Sequence, residues 1–533
     1  MRSPVLFIPG LSVILGLYGY LVKSPLPLPT SDETETEPTV EVFIPALNEE
    51  VTIGYAIASL TRQTVRPDAV TVVDDGSTDA TAAVVESVRE QVDIEIDFVR
   101  HTDRGSKTKR LKQITRNSDA DKIFVLDADT YLVSETYLER VIAAQEAEDV
   151  ACSFGIVQPD TRSTKRSFHR DSLEPLFPNG APAEAVPDWI ERDQLGRDRP
   201  SYLVTRWPVE QYRSVLYALE QRFFKEAQMR LIRTSLFPAG CGVLYDRRAL
   251  RSVFDDFEPS LGNQLTNSED IFIGFSLVDR GFANVQVSDV TMRTVEPTLA
   301  AMADQAYLWS SSFLQSTFYY RVFSRWLRSR TGDVTDEIPR DEPGLIAEET
   351  TTVGTDGGFS SPTDSGRVGN PPPGASPDES TVSSSLRADR NAESPSVGVP
   401  TSADRSAESA PDREATAERD SGDEDDDSGW FDRRRTLSAV VGSQVVDGLY
   451  PTALLVAGLL SVFGLFPIEL LLAVVAVELG LYLLIAGLFA HRQITLLSLL
   501  VSVPVRLTQL PVGVYVYARV ATDLLRGKRN WNK

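Results

Sequence analysis

The amino-acid sequence predicts an α/β domain with a mainly parallel sheet, joined through a long acidic segment to membrane helices. Three observations predict it. From Val40 to about Gln158, short β-rich runs alternate with helical ones, as in sheets whose strands are linked by crossover helices. Apolar runs stand at Val5–Val22, Leu449–Phe466 and Ile468–Ala490. Between them, Thr331 to Trp430 carries −17 of a formal net charge of −23.

Taken in chain order, Val5–Val22 is uncharged and, at ~1.5 Å per residue, long enough to cross most of a bilayer core. Lys23-Ser-Pro-Leu-Pro-Leu-Pro follows it, not a small-x-small cleavage site, so 1–30 is read as a retained anchor rather than a signal peptide. A globular domain is expected over 31–330. Its strands are predicted at Val40–Ile44, Ala69–Val73, Ile94–Val99, Lys122–Leu126 and Val150–Val157, with helices near Val51–Leu60, Asp79–Gln91, Lys107–Asn117 and Ser134–Glu146. An insertion at 159–208 holds His169 and many Arg but no legible motif, and 304–327 reads as an interfacial helix studded with aromatics and Arg.

Residues 331–435 are predicted to be disordered: up to Gly429 the only aromatic is Phe359, too little apolar surface to offset chain entropy. Residues 436–533 form the C-terminal membrane region, with spans at 449–466 and 468–490 and Pro467 between them. The run 494–517 is interrupted by Pro504, Arg506 and Pro511. An Arg at mid-span depth is costly against lipid, so this segment is expected to be re-entrant or interfacial. Basic clusters at Arg433–Arg435, His491-Arg492 and Arg526–Lys533 favour one face, the cytoplasmic one. A multi-pass cell-membrane protein with its globular domain in the cytoplasm satisfies them.

Composition narrows the function classes. The acidity excludes the basic stripe that nucleic acid requires. Nine Lys against 44 Arg in so acidic a chain suits a high-salt cytoplasm, and a GC-rich coding sequence would equally favour Arg. Two cysteines and three histidines leave no disulfide framework, cysteine zinc cluster or histidine-rich metal site.

Three acidic motifs fall at or near strand ends, where ligands of such sheets bind. Val72-Val-Asp-Asp-Gly-Ser-Thr-Asp79 runs from a strand through a glycine turn into a capped helix. It reads either as a plain junction or as Asp75 set against a base or ribose. In Phe124-Val-Leu-Asp-Ala-Asp-Thr130, Asp127 and Asp129 crowd a buried strand end. Hard carboxylate oxygens there favour Mg²⁺ or Mn²⁺. Asn267-Ser-Glu-Asp270 opens an apolar helix, either compensating its dipole or offering Asp270 as a general base.

Together with Val42-Phe-Ile-Pro-Ala-Leu-Asn-Glu-Glu50 and Gly105-Ser106-Lys107, these motifs resemble the family-two glycosyltransferases of GT-A fold, over roughly Val40 to Trp326. Relatives of that kind include the cellulose, hyaluronan and poly-N-acetylglucosamine synthases and polyprenyl-lipid glycosyltransferases. The resemblance implies a Rossmann-like domain that transfers a sugar, with inversion, from a nucleotide-diphosphate sugar under Mg²⁺ or Mn²⁺. It implies that Pro45, Asn48, Glu49, Asp74, Asp75, Lys107 and Asp127 hold the donor and that Asp127 and Asp129 hold the metal. Asp270, with Glu269, would be the base. Gly240, Cys241 and Gly242 match the acceptor-side loop, and the insertion would shape acceptor specificity or form a lid. The acceptor is expected to be lipid-linked or a membrane-proximal glycan.

Processive members of the family carry Gln-x-x-Arg-Trp after the base. Here Gln305-Ala-Tyr-Leu-Trp309 puts Leu308 where that Arg stands, which weakens a reading as a processive polysaccharide synthase. Gln305 and Trp309 are read as acceptor-side residues or as a chance match in the helix. A non-catalytic nucleotide-sugar scaffold would be expected to lack Asp129 or Asp270, and both are present.

Overall fold

The computed structural model describes residues 10–29, 38–102, 104–147, 149–177, 199–262, 265–319, 426–490 and 493–526. Its first half alternates strand and helix: α1 (Leu11–Val22), β1 (Val40–Ala46), α2 (Ile53–Thr61), β2 (Ala69–Asp74), α3 (Thr81–Arg89), β3 (Ile96–Arg100), α4 (Lys107–Asn117), β4 (Lys122–Leu126), β5 (Thr130–Leu132), α5 (Tyr137–Ala143) and β6 (Val150–Pro159). Then come α6 (Arg162–Phe168), α7 (Tyr202–Thr205), α8 (Trp207–Leu219), α9 (Glu226–Ile232), β7 (Gly242–Asp246), α10 (Arg247–Leu261), α11 (Glu269–Asp279), β8 (Ala283–Thr294) and α12 (Met302–Tyr319). Among the described residues, five helices follow: α13 (Asp426–Asp447), α14 (Tyr450–Val462), α15 (Ile468–Phe489), α16 (Leu496–Thr508) and α17 (Leu510–Leu525).

The strands form one eight-stranded sheet in the order β3-β2-β1-β4-β7-β6-β8-β5. Its first four strands are parallel, as predicted. The rest is mixed, because β7 runs antiparallel to both β4 and β6, and β5 antiparallel to β8. β1 and β4 read as continuous apolar runs because helices cover both faces: Val42, Phe43, Ile44, Ile123, Phe124 and Leu126 are fully buried. The strand ends of β1, β2 and β4 therefore gather on one edge, facing the start of α11.

Several predicted boundaries move. The described part of the N-terminal helix has 12 residues, about 18 Å long and shorter than a bilayer core. It packs through Val13, Gly16 and Gly19 on Phe223, Ala227 and Leu231. At the edges of the predicted insertion, β6 reaches Pro159 and Trp207 already belongs to α8. Residues 178–198 lie outside the described residues, as do 320–425, which hold nearly all of the predicted disordered segment. That segment was expected to reach 435, but α13 begins at Asp426. The helix predicted at 304–327 starts at Met302 and, as far as it is described, is mostly buried from Ser310 to Thr317. It is packed into the fold because Ser311, Ser312 and Gln315 bond to residues 266–268.

Two helical stretches, Thr436–Val462 and Ile468–Phe489, are long and apolar enough to cross a membrane. The first begins earlier than predicted, and Pro467 is the N-cap of the second. α16 and α17 make a pair bent by 42°. Arg506 pairs with Glu478 of α15, each side chain 5% exposed. Its guanidinium also lies 4.7 Å over the Tyr482 ring.

A second apolar core joins these helices to the α/β domain. Val209, Tyr212, Val215, Leu216 and Leu219 on α8 pack with Tyr482, Ile485, Ala486 and Val505. Ser498 donates to Gln211 at 2.7 Å. α8 continues through a π-helical turn, Glu220–Lys225, into α9.

Candidate active site

The loop after β1 is fixed by its neighbour. Asn48 takes a left-handed conformation, φ 58°, which an asparagine tolerates. Its amide donates to Ser77 Oγ at 2.8 Å, and its side-chain oxygen accepts from Thr78 N at 2.9 Å. Pro45 lies within β1, paired in register with Val73. Glu49 is pushed up to about 8, chiefly by burial and by the negative charge of Asp129.

β2 ends in two aspartates with different surroundings. Asp74 is fully buried, accepts from Ser77 N at 2.8 Å and pairs with Arg100. It closes the turn at Gly76, whose φ is 92°, so of the expected donor contacts this one is spent on the backbone. Asp75 lies just past the end of β2, with 13% of its side chain exposed. Arg110 donates to its Oδ1 at 2.9 and 2.7 Å, and Gly105 N to its Oδ2 at 2.8 Å.

Ser106 caps α4 by accepting from Lys109 N, which places Lys107 at the first helical position. Lys107 Nζ reaches Asp127 at 2.5 Å, Glu269 at 3.0 Å and Gly240 O at 3.4 Å. Burial alone would lower its pKa, but Asp127, Glu269 and Asp270 hold it well above the usual value. Asp127 is pushed up by burial, against the pull of Lys107. Asp129 is raised to about 6 by burial and by Asp127. Two crowded hard carboxylates at this edge fit a divalent cation that takes its other ligands from a bound diphosphate and water. Among the described residues, no cluster of three or more His, Cys, Asp or Glu is arranged to hold a metal by itself.

Asp270 stands in the first turn of α11, where a carboxylate is favoured by the helix dipole. Its Oδ2 accepts from Gly240 N at 3.1 Å, and the Ser268 hydroxyl donates to its Oδ1. Glu269 is buried beside Lys107. Gly240 is required by this approach: an added Cβ would meet Asp270 Oδ2 at 2.5 Å. Cys241 O accepts from Asp127 N at 3.0 Å, and burial holds its thiol well above the usual value. Gly242 was expected on the acceptor side but lies in β7, where its carbonyl accepts from Tyr137 and an added Cβ would meet Met292 Sδ at 2.3 Å. Gln305 and Trp309 do come together, one turn apart on α12. Both touch Arg213, which donates to Gln305 Oε1 at 2.7 Å and lies 4.5 Å over the Trp309 ring.

Sequence reading missed Arg110, Arg213 and Glu296. Arg110 had a legible signal, one turn beyond Lys107 on the same helix. Arg213 and Glu296 had none, because only the fold brings α8 and the segment after β8 together.

The model of the glycosyltransferase-like family 2 matches residues 38–311. Validoxylamine A glucosyltransferase from Streptomyces hygroscopicus subsp. limoneus is 31% identical over 166 residues, 30% of this chain and 34% of that protein. The chain thus matches about a third of that relative's length. A mannosyltransferase from Pyrobaculum calidifontis, solved with GDP-mannose and Mn²⁺, is 15% identical with a TM-score of 0.39, over 61% of this chain and 73% of that one. Glucosyl-3-phosphoglycerate synthase from Mycobacterium tuberculosis, solved with Mn²⁺, UDP and glucosyl-3-phosphoglycerate, is 15% identical with a TM-score of 0.31, over 54% and 88%. With its family model covering just over half of its length, the chain belongs to the glycosyltransferase-like family 2.

Proposed function

We propose that this protein transfers a sugar, with inversion, from a nucleotide-diphosphate sugar to a lipid-linked or membrane-proximal acceptor, using Mg²⁺ or Mn²⁺ at Asp127 and Asp129. The observation that carries this reading is the convergence of Asp127, Glu269 and Asp270 on Lys107 and Gly240, with Asp129 alongside. Four chain segments supply these groups: the start of α4, the turn after β4, the loop before β7 and the first turn of α11.

When bound, the cation would neutralise charge developing on the leaving diphosphate. The chain's own residues do the rest. Asp75, held by Arg110 and Gly105, orients the nucleoside with the help of the Pro45–Glu49 loop. Lys107 balances the carboxylates around it and opposes the rise that burial imposes on Asp127. Asp270 draws the proton from the acceptor hydroxyl as its oxygen bonds to the anomeric carbon and the bond from that carbon to the diphosphate breaks. Its two hydrogen bonds fix the carboxylate without consuming all its lone pairs. Binding both reactants at one edge supplies much of the acceleration.

The membrane helices packed on α8 support an acceptor met at the bilayer, and the basic clusters support a cytoplasmic α/β domain. The test is nucleotide release from a panel of nucleotide sugars, with and without Mn²⁺. Asp129→Asn should lose the Mn²⁺ response. Asp270→Asn should lower kcat by roughly 10² or more with nucleotide affinity nearly intact. Normal turnover by either variant would refute the assignment.

A further inference from the structure

Next to the proposed acceptor residues lies a buried charge pair with no evident structural purpose. Arg213 of α8 is 0% exposed and Glu296 is 1% exposed. Glu296 follows β8 directly beyond Val295, whose amide donates to the carbonyl of Asp129 at 3.1 Å. The pair is loose: Arg213 Nε stands 3.5 Å from Glu296 Oε2. Neither Arg213 Nε nor Nη1 forms a hydrogen bond, and neither Glu296 oxygen completes one of good geometry; burial pushes Glu296 up to about 7, against the pull of Arg213 and of the Tyr217 hydroxyl. Taking two ions out of water costs several kcal/mol each and is repaid only when their hydrogen bonds are complete. Fold stability alone does not account for such a pair.

What Arg213 does complete is directed at α12. Its Nη2 donates to Gln305, and its planar guanidinium covers the Trp309 ring, a stacking that fixes the ring's orientation. Leu308 brings no charge to this face of α12, so the guanidinium comes from another helix. We propose that Arg213 is a positioning residue of the transfer reaction: from α8 it sets Gln305 and Trp309 for the acceptor, with Glu296 as its counter-ion beside Asp129. This rests on the acceptor-side reading of Gln305 and Trp309 given above.

The experiment uses the full chain in lipid nanodiscs, with UDP-glucose, UDP-N-acetylglucosamine and GDP-mannose as donors. Nucleotide release is measured without acceptor, and sugar transfer is measured on washed membranes of the native host. Arg213→Met should lower the ratio of transfer to acceptor-free release at least about fivefold, and Arg213→Lys should restore part of it, since an ammonium keeps one donor but not the planar stack. Arg213→Met/Glu296→Gln leaves no lone buried charge, so it should unfold at the wild-type temperature and still show the low ratio. An unchanged ratio in Arg213→Met overturns the proposal. So does a double variant that regains the wild-type ratio, which would trace the defect to an unpaired Glu296. A defect in Gln305→Ala and Trp309→Ala with none in Arg213→Met sinks this inference and leaves the acceptor reading standing. A wild-type protein that releases nucleotide but transfers nothing to those membranes sinks the acceptor reading, and this inference with it.

Discussion

Gly240→Ala tests whether the glycine exists to admit the base. The new methyl carbon would stand 2.5 Å from Asp270 Oδ2, 2.6 Å from its Cγ and 2.8 Å from its Cβ. Ordinary contact begins near 3.4 Å, so Asp270 must retreat by about 1 Å, a misplacement that costs about 10²-fold in rate. Gly240 is not among the residues with positive φ, so alanine adds no backbone strain and the clash is the whole perturbation. Asp270 has little room to yield, because Ile271, Phe272 and Ile273 behind it are fully buried. Retreat also breaks the bond from Gly240 N, and a hydrogen bond to a charged group is worth about 1.5–3 kcal/mol. Both costs describe one displacement and do not add. We expect kcat to fall about 10²-fold, with nucleotide affinity by calorimetry close to wild type and the unfolding temperature lowered by only a few degrees. Wild-type turnover by Gly240→Ala would show that Asp270 does not act from the position described.

Cation affinity should depend on pH. Asp129 titrates at about 6 and must lose its proton to act as a ligand, so Mn²⁺ affinity by calorimetry should weaken as pH falls, about tenfold per unit below 6. A flat profile from pH 7 to 5 would place the cation elsewhere. Lys107→Met removes the cation that holds Asp127 down, so the acid limb of kcat/KM should move to higher pH; a limb that stays put would deny Lys107 that role. Arg110→Met frees Asp75, and it should weaken nucleotide binding more than it lowers kcat; unaltered binding would remove Asp75 from the donor site. With both native cysteines replaced, Asn532→Cys should resist an impermeant thiol reagent in intact cells, while ready labelling there with Ser376→Cys protected would mean that 494–517 crosses the membrane.

The parallel half of the sheet is legible because its strands are short β-rich runs bounded by turns, and Gly76 or Ser106 marks where the next helix starts. β5, β7 and β8 were not located. β5 has three residues, β8 alternates burial toward its end, and antiparallel insertion next to β4 depends on contacts far away in sequence. The site followed the same division. Asp75, Lys107, Asp127, Asp129 and Asp270 announce themselves by standing at strand or helix ends. Asp74 and Gly242 share those neighbourhoods, yet both are buried within their strands. Arg506 was recognised as costly, but its partner Glu478 could be found only once α15 and α16 were seen side by side.

The apolar face of α8 bears on where this enzyme can be cut. Ending the chain at residue 330, just before the acidic segment, would leave Tyr212, Val215, Leu216 and Leu219 without Tyr482, Ile485, Ala486 and Val505. It would also strip Leu437, Val440 and Val441 of α13 from the main core. A fragment trimmed at that composition break therefore exposes a broad oily surface to water and invites clumping during expression. The seam at which the sequence changes character is not the seam along which the molecule comes apart. A usable truncated form would keep α13, α15 and α16 and lose instead the residues between 331 and 425.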